Sequence, residues 1–60
     1  MKTETTIDHK HGYVAVYVTL RDGKAALTEE VSEGVTTDYD AKGNLLGVEV
    51  IELWDPKEKE

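Results

Sequence analysis

Sixty residues carry thirteen acidic and seven basic side chains, for a net charge of −6. A chain this short buries only about 60% of its unfolded surface, and a single core of this size rarely supplies more than roughly 3–5 kcal/mol, so a disulfide, a metal or a second copy is expected to help. There is no cysteine, which excludes disulfides, thiolate zinc sites and cysteine nucleophiles, and the acidic balance repels phosphate backbones, so no nucleic-acid partner is expected.

The opening MKTETTIDHK lacks the apolar stretch of a signal peptide. The longest apolar run, residues 13–18, is too short for a membrane-spanning helix, so no membrane partner is expected. With no cysteine in so small a chain, a cytoplasmic location is expected.

Residues 3–8 read as a weakly marked strand at a sheet edge, and HKHG as the turn that follows. Residues 13–20 are the clearest strand, because β-branched and aromatic side chains pack well on a pleated surface. Asp22-Gly23 reads as a type I′ hairpin turn. Residues 25–31 form the return strand, with Ala25, Leu27 and Val31 on one face. SEG turns the chain again, residues 35–39 make a short strand, DAKGN closes the next hairpin, and residues 45–53 form the last strand. Glycines at 12, 23, 34 and 43 punctuate these runs at the spacing of an all-β chain. Short loops then imply sequential antiparallel pairing. The fold class is mainly β: a small antiparallel meander sheet of four to five strands in one domain over residues 1–54, with a charged tail over 55–60. Helix competes in AALTEEVSEG, where Gly34 would be a C-cap, and in VEVIELWD near the C-terminus.

Two strands are apolar on both faces. Val14, Val16, Val18 and Leu20 alternate with Tyr13, Ala15, Tyr17 and Thr19. Leu46, Val48, Val50 and Trp54 alternate with Leu45, Glu49, Ile51 and Leu53. A sheet with one wet face alternates more cleanly than this. The expectation is a homodimer packed sheet on sheet, with a sheet curled into a small barrel as the alternative. Glu49 and Glu52 then belong at a rim or opposite a base on a neighbouring strand. Aromatic and aliphatic side chains dominate interface energetics, which makes Tyr13, Val14, Val16, Tyr17, Tyr39, Ile51, Leu53 and Trp54 the interface candidates.

No catalytic, metal or cofactor site is expected. Asp38-x-Asp40-x-x-Gly43 resembles a fragment of a calcium loop, and metal binding through Asp38 and Asp40 is the alternative function. Lys42, however, occupies a would-be ligand position, and aspartate with glycine is also turn chemistry. His9-x-His11 has the spacing of a strand metal pair but falls in the first turn. Thr28, Glu29, Glu30, Ser32 and Glu33 lack the enclosed, base-activated setting that catalysis needs, so the chain is not expected to be an enzyme. A basic protein partner suits the charge.

The stretch TEEVSEGVTTDYDAKGNLLGVEVIEL resembles the bacterial and phage family known as domain of unknown function 2283. The matching positions are Thr28 to Val31, Gly34-Val35, Asp38-Tyr39-Asp40, Gly43, and Gly47 to Val50. In the first hairpin the family begins with a Tyr-Asp-Pro type of segment, where this chain has Ile7-Asp8-His9 and Gly12. The resemblance implies no settled activity. Some members resemble neighbours of small toxin-like proteins, which implies an antitoxin-like or accessory binding role. An acidic β-module masking a basic partner is electrostatically consistent with it.

Overall fold

The computed structural model describes residues 1–55. It contains five strands: β1 (Lys2–Asp8), β2 (Tyr13–Thr19), β3 (Leu27–Ser32), β4 (Val35–Tyr39) and β5 (Leu45–Leu53). All pairings are antiparallel, in one sheet of order β1-β2-β5-β4-β3. The expected β class and strand positions hold to within one or two residues. Both segments with a competing helical reading are strands, and the short C-terminal helix is not formed through Leu53. Most of the tail expected over 55–60 lies outside the described residues.

The strand order departs from an uninterrupted meander. The first hairpin and the β3-β4-β5 meander are both present, but β2 pairs with β5 and not with β3. Composition explains this. YVAVYVT and LLGVEVIEL are apolar on both faces and take the interior of the sheet, while KTETTID and LTEEVS supply the two edges. A simple meander would have put the most apolar strand at an edge and a glutamate pair in the middle. Exposed apolar edges invite unwanted strand pairing, so the observed order is the safer one.

The Asp22-Gly23 hairpin is therefore corrected. The positive-φ residues are Gly12, Gly34 and Gly43, which turn the three real hairpins. Neither Asp22 nor Gly23 has the positive φ that a type I′ turn needs. Residues 20–26 instead carry the chain across the end of the sheet to its far edge. The Leu20 and Arg21 amides both donate to the Leu46 carbonyl, at 2.7 and 3.2 Å. Gly23 lies over the Leu46 side chain: a Cβ there would meet Leu46 Cδ2 at 2.9 Å. The glycine serves close approach.

Two irregularities change side-chain parity. The β3–β4 register slips between Glu30 and Ser32, which leaves Val31 as the extra residue with no register partner on β4. The β4–β5 register slips where Asp38 faces Gly47 and Tyr39 faces Leu45, leaving Leu46 as the extra residue. Leu46, 4% exposed, is the one buried large side chain among the described residues. The molecule measures only 13 Å along its shortest axis. Packed sheets lie about 10 Å apart centre to centre, so this is one layer. The sheet is open, not the curled barrel considered as an alternative.

Candidate functional site

Among the described residues nothing covers either sheet face, and the chemistry of the two faces differs. Register places Ile7, Val14, Val16, Val18, Val35, Val48 and Val50 on one face. One row runs Thr5, Val16, Val50, Val35 across four strands. Glu52 and Glu29 lie at the outskirts of this valine face. The opposite face carries Tyr13, Ala15, Tyr17, Ile51 and Leu53, interleaved with Glu4, Asp8, Glu30, Asp38 and Glu49. Lys2 is the one base in a strand among the described residues; Lys10, Arg21, Lys24 and Lys42 all lie in connections. The tyrosine face is therefore acidic.

Exposure runs through the middle of the sheet. Val50 and its neighbour Ile51 point to opposite faces of an interior strand, yet are 45% and 39% exposed. Ile7 is 56% exposed and Leu53 73%. Of the interface candidates, Val14, Val16 and Tyr39 are half-buried on the valine face, and Tyr13 and Tyr17 half-buried on the other. Ile51 and Leu53 stand out from the tyrosine face. Trp54 was expected to continue the Val48–Val50 face. It instead lies beyond β5, where its amide donates to the Gly12 carbonyl at 2.9 Å and its ring meets His9 edge-on at 6.1 Å. The end of the sheet is thereby fastened to the first turn.

A polar strut crosses the tyrosine face. The Tyr17 hydroxyl donates to Asp38 Oδ2 at 2.7 Å, and Thr28 donates to Asp38 Oδ1 at 2.5 Å. Tyr17 is on β2 and Asp38 on β4, so the phenol must pass over β5 between them. It does so above Gly47, the residue paired with both Thr19 and Asp38. Two donors on one carboxylate hold Asp38 below its ordinary pKa, the Thr28 bond contributing most and the Tyr17 bond next. The same bond to Asp38, with burial, raises Tyr17. Sequence reasoning assigned Asp38 to a turn and missed this strut. The legible signal was Gly47 inside an apolar strand, since a strand glycine often marks close approach.

Asp40 is the turn residue that the sequence suggested. Its Oδ1 accepts from the Lys42 and Asn44 amides at 2.9 and 2.8 Å, and Oδ2 accepts from the Asn44 amide side chain at 3.1 Å. These bonds, the Asn44 backbone amide first, lower its pKa. Asp8 closes the first turn in the same manner, accepting from the His11 amide and pairing with His11 Nδ1, both at 2.9 Å. The side-chain bond to His11 leads in lowering the Asp8 pKa. Asp38 and Asp40 thus engage different partners, as do His9 and His11. No group of three or more His, Asp or Glu side chains suited to a metal ion converges among the described residues.

No helix among the described residues is long and apolar enough to cross a membrane. No curated protein and no solved structure matches the chain. A family model described as "Protein of unknown function (DUF2283)" matches residues 15–53, which is 39 of 60 positions. That span runs from the first interior strand through the last and includes the Tyr17–Asp38–Thr28 strut together with Gly47. The chain belongs to the DUF2283 family.

Proposed function

We propose that this protein is a non-enzymatic interaction module that self-associates through its valine face and offers its acidic tyrosine face to a basic protein partner. The observation that carries the reading is the exposure of Val50 and Ile51 in an interior strand. In a two-layer domain such positions are covered, and here the described residues form no second layer. The valine face suits a second copy because its carboxylates lie at the outskirts. Apposing two tyrosine faces would instead bring Glu4, Glu30 and Glu49 against their own counterparts, which is destabilising. Each half-exposed valine covered by a twin contributes on the order of 1 kcal/mol. The tyrosine face, acidic and carrying apolar Ile51 and Leu53, complements a cationic surface with apolar anchors. An antitoxin-like or accessory role in a bacterium or phage fits that pairing.

Sedimentation across a dilution series tests the self-association. The wild type is expected as a dimer or a higher multiple of it. Val50→Lys places a charge where a lone chain leaves room but a packed twin does not, so it raises the dissociation constant at least about a hundredfold. Ile51→Lys, one residue along, leaves the assembly intact. A folded wild-type monomer at micromolar concentration contradicts the reading.

A further inference from the structure

We propose that the β1 edge is a second self-association surface, pairing antiparallel with β1 of another copy about a two-fold axis at Thr5. Among the described residues β1 hydrogen-bonds to β2 on one side only, so its outer edge presents unpaired backbone groups. An open edge is a template for another strand. A pairing that keeps like faces on the same side sets even-numbered residues opposite even-numbered ones. Centred on Thr5, all seven residues of the strand pair: Lys2 faces Asp8 of the second copy, Thr3 faces Ile7, Glu4 faces Thr6, and Thr5 faces Thr5. Centring on Glu4 would put Glu4 against Glu4, and centring on Thr6 would put Glu4 against Asp8. The Thr5 register alone among these matches charge to countercharge, twice by symmetry. It also sets Thr3 of the twin beside Ile7, one of the exposed aliphatics of the valine face.

The opposite edge has the reverse character. In β3, centring on either glutamate sets Glu29 against Glu29 or Glu30 against Glu30, and the register slip at Val31 distorts the strand. Like charges directly opposed are destabilising, so both of these β3 registers are disfavoured, and with no base in LTEEVS no β3 self-pairing matches charge to countercharge as the Thr5 register of β1 does. The pairing runs through the backbone edge of β1, and its charge matches, Lys2 with Asp8, lie on the tyrosine face; Thr3, Thr5 and Ile7 belong to the margin of the valine face.

The chain has no cysteine, so a single introduced thiol reports on geometry. In the Thr5-centred register the two Thr5 Cα atoms are about 4.5–5.5 Å apart, within disulfide range. The two Thr3 Cα atoms are roughly 13 Å apart, beyond it. Thr5→Cys, oxidised with diamide, is expected to form a covalent dimer at least about ten times faster than Thr3→Cys. Adding Lys2→Glu to Thr5→Cys slows the cross-link, because both charge matches become acid against acid. Adding Val50→Lys preserves the difference between Thr5→Cys and Thr3→Cys, which separates this surface from the valine face. Equal cross-linking of the two cysteine variants, or indifference of Thr5→Cys to Lys2→Glu, overturns the proposal.

Discussion

A methyl group on Gly47 would sit 2.5 Å from the Tyr17 hydroxyl oxygen and 2.8 Å from the ring carbon that bears it. Gly47→Ala must therefore displace the phenol and break its bond to Asp38. We expect a loss of about 2–3 kcal/mol in urea denaturation, from crowding plus one charge-assisted bond. In a Tyr17→Ala background the same substitution costs at least about 1 kcal/mol less, since the two residues then no longer compete for one space. Equal costs in both backgrounds would mean that the strut is not the reason for the glycine. The strut also sets the pH response. Asp38 has a lowered folded pKa, so its contribution is present above the ordinary aspartate value of about 4 and is lost as pH falls below it. Tyr17 has a raised folded pKa, so its contribution is present below about pH 10 and is lost as pH rises past it. Melting temperatures are expected to fall at both extremes. Asp38→Asn flattens the acid limb, where Asp8 and Asp40 still act, and Tyr17→Phe flattens the alkaline limb. Unchanged limbs in both variants would remove the strut from the pH response.

Strand positions were legible because each strand carries its own local pattern. Val35 to Tyr39 and Leu45 to Leu53 match the expected bounds, and LTEEVS reads as a strand despite its helical alternative. Pairing was less legible, because Asp22-Gly23 is a strong hairpin signal taken alone. What overrode it is non-local: an interior place for β5 outweighs a tight turn at residues 22 and 23. The same comparison of apolar content among strands could have been made from the sequence, since KTETTID and LTEEVS are plainly edge-like beside YVAVYVT. Asp38 was harder to read. Its partners lie 21 and 10 residues away along the chain, and no local motif joins Tyr17, Thr28 and Asp38. Trp54 misled for the opposite reason: its spacing continued the strand alternation, but the chain leaves the sheet after Leu53 to meet Gly12 and His9.

At the scale of the whole molecule, the described residues form one layer with one buried large side chain, Leu46. Domains of this size hold only a few kcal/mol even when two layers enclose a core. If the valine face is completed by a twin, folding and association are one equilibrium, and stability depends on protomer concentration. Each tenfold rise in concentration then adds roughly half of 1.4 kcal/mol per chain. For a domain near 60 residues that corresponds to a melting temperature about 3–5 °C higher per tenfold. Calorimetry or circular dichroism from micromolar to near-millimolar chain should show this slope in the wild type. Val50→Lys should melt lower and lose most of the slope, because its folded state no longer gains from a twin on the valine face. Ile51→Lys should keep it. A wild-type melting temperature independent of concentration, with a cooperative transition, would mean that the single sheet holds itself together and that the exposed valines have some other use.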